Sequence, residues 1–269
     1  MISERTAWQT VLIQTEIVAG DPDRNRVMLE RKMRQAAEAA VKPDVIVLPE
    51  MWNSGYALEQ IDELADLDGL TSRAWISEFA RKYQVHVVAG SIAEKREGQV
   101  YNTMLVFDRT GTEVAAYSKI HLFGLMDEDK YLVAGDRAVT FKLDGITTGA
   151  SICYDIRFPE LARSLSLNGA QMLFLPAQWP HPRLQHWRTL LTARAIENQM
   201  YVIACNTVGS TGDDHFFGHS AIIDPWGEWI AEGGETEEIV SGRIDLTLVN
   251  QVRQRIPVFK DRRPEAYEL

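Results

Sequence analysis

Cys153, Glu50 and Lys119 are residue types that can divide an acyl transfer among them, and each stands where a strand-like run ends. Glu50 follows the continuous apolar run 44–48 (DVIVL) and Pro49. Cys153 closes the run TGASIC (148–153), and Lys119 sits in AAYSKIHLF (115–123), after a strand-like segment. A thiol has a pKa of about 8.5 and is largely protonated at neutral pH, so it needs a base, a cation, or both to attack a carbonyl carbon. A carboxylate in an apolar pocket can take the thiol proton, and a lysine beside it can stabilise the oxyanion that forms. Taken singly, each residue has an ordinary reading: a solvated loop glutamate, a lysine snorkelling over apolar surface, a small buried hydrophobe. Histidine activation is the usual alternative for a thiol. Of His86, His121, His181, His186, His215 and His219, only His121 lies near another member of the set. Spacing alone does not choose between the two.

Strand-like and helix-like runs alternate along the whole chain, and these must carry the set. Residues 10–18 are rich in β-branched side chains. Asp21 and Pro22 supply a cap and a first-turn proline for a helix whose apolar face holds Met28, Leu29, Met33, Ala36, Ala37 and Ala40. Residues 44–48 read as a strand buried on both faces. Thr71 or Ser72 is the expected cap of a second helix, burying Trp75, Ile76, Phe79, Ala80 and Tyr83. Strands are expected at 85–92 and at 104–107, the latter before the turn Asp108-Arg109-Thr110-Gly111. Residues 149–154 read as a strand, Pro159 opens a helix that stops near Gly169, and strand 172–175, helix 185–199 and strand 201–205 follow. Strands at 220–224, 229–231 and 238–244, with the turn Pro225-Trp226-Gly227, read as a β-meander. The alternation predicts layered α/β architecture, with mixed sheets because hairpins also occur. No linker or break in composition divides the chain, so a single domain over 1–269 is expected. Sites in such sheets gather at the carboxyl ends of strands.

The bulk composition narrows the function classes. The chain has 269 residues, 45% hydrophobic and 25% charged, an ordinary balance for a globular protein with a sizeable core. A formal net charge of -10 disfavours nucleic acid, whose phosphates need basic patches. No apolar run approaches the roughly 20 residues that span a bilayer, and residues 1–5 lack the start of a signal peptide. No membrane partner is therefore expected. The cysteines, Cys153 and Cys205, form neither a C-x-x-C pair nor a disulfide framework, so a reducing cytoplasm is the expected compartment. Cys205, in a strand-like run, reads as a core residue. The H-x-E with P-C-x-x-C pattern of zinc deaminases is absent. The thiol reading needs no metal and no cofactor.

Three blocks, VIVLPEMWNSGY (45–56), YSKIHLF (117–123) and SICYDIRFPE (151–160), resemble the signatures of the nitrilase, or carbon–nitrogen hydrolase, superfamily, in the family's order and at family-like separations. The stretches YNTMLVFDRTG (101–111), LLTARAIENQMYVIACNTVG (190–209) and GHSAIIDPWGEWIAEG (218–233) agree, so the likeness runs over nearly the whole chain. The resemblance implies a four-layer α-β-β-α sandwich, two mixed sheets face to face with helices outside. It implies Glu50 as general base, Lys119 as oxyanion stabiliser, Cys153 as nucleophile and the backbone N–H of Tyr154 as a second oxyanion donor. It also implies a second glutamate, assigned to Glu128 in DEDKYLVAGD, that positions the substrate or the lysine. Glu113 and Asp127 are nearby acids that compete for that assignment. Trp179 and Phe123 are candidate pocket walls, with a core role as the alternative. Arg157 either binds a substrate carboxylate bidentately or, as the favoured reading, makes an ion pair with Asp155 that braces the loop.

Within the superfamily, PEMWNSGYAL, HLFGLMDEDKYLVAGD, CYDIRFPE and QWPHPRLQHWRTLLTARAIENQ most resemble ω-amidases, including bacterial members linked to methionine salvage. The implied reaction hydrolyses the terminal amide of a small 2-oxo dicarboxylate monoamide, 2-oxoglutaramate or 2-oxosuccinamate, through a Cys153 thioester, with release of ammonia. Arg157, Arg183 and Arg188 are the candidates for holding the substrate carboxylate. The alternatives within the family are an N-carbamoyl amino-acid hydrolase and a broad aliphatic amidase or nitrilase. A non-catalytic binding protein on the same scaffold should lack Glu50, Lys119 or Cys153, and all are present. A redox protein would need Cys205 as its resolving thiol. The resemblance further implies a homodimer or larger homo-oligomer, with the helix holding ARAIEN (193–198) beside the site and near subunit contacts. The C-terminal stretch 249–269 is expected to reach a partner subunit.

Overall fold

A computed structural model describes residues 6–267. The strands in chain order are β1 (Ala7–Gln14), β2 (Val45–Val47), β3 (Asp66–Leu67), β4 (His86–Arg96), β5 (Gln99–Phe107), β6 (Glu113–Ser118), β7 (Thr140–Leu143) and β8 (Ile146–Ala150). They continue with β9 (Met172–Pro176), β10 (Tyr201–Cys205), β11 (Val208–Thr211), β12 (Asp214–Phe217), β13 (Ala221–Ile223), β14 (Trp229–Glu232) and β15 (Glu238–Asp245). The α-helices are α1 (Pro22–Ala37), α2 (Ile61–Leu64), α3 (Leu70–Tyr83), α4 (Glu128–Tyr131), α5 (Pro159–Leu167), α6 (Leu184–Asn198), α7 (Leu248–Arg255) and α8 (Val258–Asp261). Among the described residues, one seven-stranded sheet runs β15-β1-β2-β4-β5-β6, with β3 added to β4. A six-stranded sheet runs β14-β13-β10-β9-β8-β7, and β11 and β12 form a separate hairpin. Both large sheets mix parallel and antiparallel pairs.

Period-two alternation builds the layers. In β1, Trp8 and Leu12 enter the core between the sheets, whereas Val11 and Ile13 join Leu29 and Met33 of α1 and Ile76 and Phe79 of α3 on the outer face. In β10, Tyr201 OH donates to Asp245 O (2.8 Å) and Cys205 Sγ to Ile13 O (3.5 Å), so one face of the second sheet meets the first. Leu161 and Leu165 of α5 and Trp187 and Leu191 of α6 pack on the second sheet. The result is the four-layer α-β-β-α sandwich. Among the described residues, no helix is long and apolar enough to cross a membrane.

Several local expectations hold and several need correcting. Asp21 caps α1 by accepting from Arg24 N (3.1 Å), and Pro22 fills its first turn. Neither Thr71 nor Ser72 caps α3. Gly69 stands at that position with φ +61, and the free N–H groups of Thr71 (3.2 Å) and Ser72 (2.8 Å) donate to the Asp66 carboxylate, a cap supplied from outside the helix. The run 149–154 is not all strand: β8 ends at Ala150, and Cys153 opens a 3-10 turn. The expected meander is only the β13–β14 hairpin. β15 leaves it and pairs with β1 from Ala7↔Asp245 to Gln14↔Glu238, which buries Val240 and Ile244 and covers an edge of the first sheet. The β7–β8 hairpin, turning through Asp144-Gly145, carried a turn signal that the hydrophobic pattern did not use. Of the expected 249–269 stretch, α7 packs on its own chain: Val249 and Val252 are buried and Arg253 donates to Ala170 O (2.7 Å). Glu268 and Leu269 lie outside the described residues.

The end of β2 needs one glycine. Leu48 N–H donates to Val88 O (3.0 Å) and Ser91 N–H to Pro49 O (3.2 Å), where β4 shifts register between Val88 and Ser91. Gly90 lies in that irregularity with φ +54, and a Cβ there would stand 1.9 Å from Pro49 O. Gly98 also has a positive φ, +77, with nothing within 4 Å of an added Cβ. Gly98→Ala should lower stability by about 1–2 kcal/mol, the left-handed backbone cost alone. Gly90→Ala should cost more than that, because the backbone beside Glu50 must also move. Urea unfolding of the two variants checks the difference, and equal losses would remove the steric part of the argument.

Candidate active site

Pro49 has no N–H to continue the β2 ladder, and the chain turns across β4. Ser91 N–H donates to Pro49 O (3.2 Å) and Ser91 Oγ accepts from Met51 N–H (2.9 Å), which fixes the intervening Glu50. Its carboxylate is 0% exposed and takes donors from both sheets. Asn102 Nδ2 (2.8 Å) and Lys119 Nζ (2.9 Å) donate to Oε1, and Gln178 N–H (2.8 Å) donates to Oε2. Gln178 Nε2 also donates to the Glu50 carbonyl (2.8 Å).

Lys119 follows β6. Its N–H donates to Asn102 O (2.9 Å) and its carbonyl accepts from Gly135 N (2.8 Å), so the backbone is held on both sides. The ammonium also reaches Glu128 Oε1 at 2.7 Å. Glu128 begins α4 and is buried, not a surface loop acid. It accepts from Tyr56 OH (2.7 Å) and Phe123 N–H (3.0 Å). Glu113 and Asp127 drop out of the assignment, because they pair on the surface with Arg73 (2.8 Å) and Lys130 (2.9 Å). Burial alone would push the Lys119 ammonium towards losing its proton, but the Glu128 and Glu50 carboxylates outweigh that and hold its pKa well above the ordinary lysine value. Burial raises the Glu128 pKa, with Lys119 opposing and Glu50 adding to the shift.

Cys153 has φ +46, a left-handed conformation that a residue with a Cβ adopts at a cost, and which commonly marks a functional turn. Burial pushes its thiol well above the usual range. The negative charge of the Glu50 carboxylate pushes the same way, while the Lys119 ammonium pulls it down. Asp155 is buried in the same turn, and Arg194 of α6 donates Nε to Ile156 O (3.0 Å), which places the ARAIEN helix against this turn. His121 does not join the thiol. Its Nδ1 bonds Asp155 Oδ1 (2.8 Å) and its ring stacks on Phe158 with centroids 3.6 Å apart. Both cysteines are free, and Cys205 is buried with its thiol raised by burial.

A small pocket opens onto Cys153 and Glu128, and no histidine lines it. Phe123, Tyr154 and Trp179 are among the residues that line it. Arg157 and Arg183 also line it. The expected Asp155–Arg157 ion pair does not form. Asp155 is taken by other donors, and Arg157 lies over the Trp179 ring (4.7 Å) and against His186 Nδ1 (3.3 Å). Arg183 lies over the Phe123 ring (5.5 Å). Arg188 is removed from the candidates, because it is paired with Glu232 and lies outside the pocket lining. Among the described residues, no cluster of His, Cys, Asp or Glu is arranged to hold a metal ion. The site residues that sequence reasoning missed are Tyr56, Asn102 and Gln178. Each stands inside or beside a recognised block, but a neutral side chain that only orients a carboxylate carries no charge pattern to flag it.

The Cys153 thiol and the Glu128 carboxylate therefore share one pocket lining, and the Lys119 ammonium joins Glu128 to Glu50, although neither Lys119 nor Glu50 is among the residues that line the pocket. The sequence profile described as "Carbon-nitrogen hydrolase" matches residues 10–254. The chain is 48% identical to the 2-oxoglutaramate amidase of Bacillus subtilis (strain 168), over 97% of this chain and 99% of that protein. It is 35% identical to the omega-amidase NIT2 of Homo sapiens, over 98% of each. The crystal structure of a carbon-nitrogen hydrolase from Helicobacter pylori G27 superposes with a TM-score of 0.91 at 26% identity, covering 97% of both chains.

Replacing Lys119 by Met would leave the Glu50 and Glu128 carboxylates buried without a counter-charge, a change that typically costs about 3–5 kcal/mol. The loss should depend on pH. In the variant Glu128, whose ionisation burial already disfavours, loses the ammonium that opposes this, so it contributes no penalty at low pH and a growing one as pH rises. In the native protein the Lys119 pKa is raised, so its contribution is complete below the unfolded lysine value and is lost only at strongly alkaline pH. Urea unfolding at pH 4.5 and pH 8 should show the gap between native and Lys119→Met protein widening with pH. A gap that stays constant would contradict this account.

Proposed function

This chain belongs to the carbon–nitrogen hydrolase family, and from that premise we propose that it hydrolyses the terminal amide of a small 2-oxo dicarboxylate monoamide, 2-oxoglutaramate or 2-oxosuccinamate, to the dicarboxylate and ammonia. The observation that carries the substrate class is the pair of guanidinium groups on the pocket wall. Arg157 and Arg183 both line the pocket and have no carboxylate partner among the described residues. Burial and then the nearby Arg183 charge each lower the Arg157 pKa below the usual arginine value, so an anion bound here would relieve repulsion between the two. A dicarboxylate monoamide offers that anion at one end and the scissile amide at the other. The names of the similar amidases point the same way.

In this reading Cys153 Sγ attacks the amide carbon while its proton passes to Glu50. The developing oxyanion is held by the Lys119 ammonium and the backbone N–H of Tyr154. Glu50 returns the proton to nitrogen, the C–N bond breaks, ammonia leaves and a thioester remains. Water, deprotonated by Glu50, then attacks the thioester, and the proton returns to sulfur as the acid departs. Glu128 and Tyr56 touch the pocket and hold the lysine end of the site. The proposal includes a single hydrolase domain and a homo-oligomer, with the exposed segment after α7 as the part that reaches a second subunit. A clean monomer by light scattering would count against the latter. A reducing cytoplasm, which keeps both thiols free, suits the chemistry.

Ammonia release from 2-oxoglutaramate, an uncharged aliphatic amide and an N-carbamoyl amino acid tests the reading. The oxo amide should turn over fastest, and Cys153→Ala should abolish turnover with the circular dichroism spectrum unchanged. Arg157→Met should raise KM for the anionic amide about 10- to 100-fold, as loss of a charged hydrogen bond implies, and leave the uncharged amide unaffected. Carbon dioxide release from the carbamoyl substrate at the higher rate would transfer the assignment to that class.

A further inference from the structure

The proposed nucleophile and its proposed helpers stand on different sheets. Glu50 follows β2 and Lys119 follows β6 of the seven-stranded sheet, whereas Cys153 follows β8 of the six-stranded sheet. Their relative placement thus depends on whatever joins the two sheets near the pocket. One carboxylate does this directly. Asp155 is 1% exposed, and its oxygens face donors from both sides. From the Lys119 segment come Tyr117 OH to Oδ2 (2.7 Å), His121 N–H to Oδ1 (3.1 Å) and the His121 ring Nδ1 to Oδ1 (2.8 Å). From the Cys153 turn itself comes Ile152 N–H to Oδ2 (2.9 Å). Lys119 lies between Tyr117 and His121, and Cys153 between Ile152 and Asp155.

We propose that Asp155 is a positioning residue for the reaction described above, a buried clasp that holds the Cys153 turn of one sheet against the Lys119 segment of the other. The proposal rests on that reading for the reaction but not for the clasp. Asp155 does not line the pocket. It acts by sustaining the positive φ of Cys153, because the bond to Ile152 N–H closes the turn around that residue. It also fixes the distance between sulfur and the Glu50–Lys119 pair. A carboxylate is the group this position requires, since an ionised aspartate only accepts and both of its oxygens are used. An asparagine must turn its NH₂ towards either Ile152 N–H or His121 N–H, and neither backbone group can become an acceptor.

Two measurements test the clasp, one with substrate and one without. In ammonia release at saturating substrate, Asp155→Asn should lower kcat at least about 100-fold with KM changed less than about threefold. Tyr117→Phe should lower kcat about tenfold, and the double variant should fall no further than Asp155→Asn alone, because both cut the same contact. Without substrate, the rate at which iodoacetamide alkylates Cys153 is followed by mass spectrometry. Glu50→Gln should change the alkylation rate in the native background and make no further difference in Asp155→Asn, where the turn no longer holds the thiol in place. If Asp155→Asn does not fold, Tyr117→Phe with and without Glu50→Gln decides. Variants that melt earlier but keep native kcat and native alkylation, with the Glu50→Gln effect intact, would overturn the proposal and leave Asp155 a structural residue. A native protein that hydrolyses no amide would remove the reaction assigned above, and the alkylation cycle would still decide the clasp.

Discussion

An ammonium and two carboxylates taken out of water together make the constraint from which the rest follows. Each ion loses several kcal/mol of hydration on burial, and their attraction repays it only when every remaining acceptor and donor is occupied. That condition explains the company around Lys119. Glu50 takes Asn102 and Gln178 as further donors, and Glu128 takes Tyr56 and the Phe123 N–H. It also explains the architecture. A single strand end cannot supply so many converging groups, but two sheets packed face to face can, with Glu50 held from one side by Asn102 of β5 and from the other by Gln178 just after β9.

Placing the site on the seam between sheets has a second effect. Side chains from one strand end keep a fixed spacing, but the spacing across the seam is set by packing and by the few polar bonds that cross it. Gln178 to Glu50 and Asp155 to Tyr117 are such bonds, both fully buried. Buried polar links of this kind tolerate little displacement, because a shift leaves a donor or acceptor unpaired where water cannot reach it. The close-packed core between the sheets, where Trp8, Leu12 and Met104 belong to the same cluster as Phe141 and Phe174, limits sliding for the same reason.

The fold was legible where local chemistry decides structure. Asp21-Pro22 starts a helix at that point, and the apolar run around Val45–Val47 is a strand buried on both faces. Legibility failed where partners lie far apart in sequence. Nothing near Asp66 announces that it caps α3, and β15 joins β1 because an edge there needs covering, not because of a turn that precedes it. The site divides in the same way. Glu50, Lys119 and Cys153 were readable as residue types at strand ends, and their resemblance to known blocks named them. Glu128 was assigned by its resemblance to a known block, and its burial against Lys119 sets it apart from Glu113 and Asp127, which pair on the surface. The expected partnership of Asp155 and Arg157 was wrong because adjacency in sequence suggested a pair, whereas the 3-10 turn sends Asp155 inward to Tyr117 and His121 and leaves Arg157 at the pocket wall.

Charge accounting reconciles a protonated thiol with its proposed task. A thiolate formed in advance would add a further negative charge near Glu50 and Glu128, which share one ammonium, and the upward shift of the Cys153 thiol reflects burial together with that cost. Attack coupled to proton transfer avoids it. In the proposed mechanism the proton would move from sulfur to Glu50 as negative charge moves to the substrate oxygen, so that one unit of charge is relocated and none is created in the low-dielectric interior. The ammonium that balanced Glu50 at rest then faces the oxyanion with little reorganisation, which is where a preorganised charge is worth most. A raised thiol pKa is therefore what a buried site that moves its proton during attack should show.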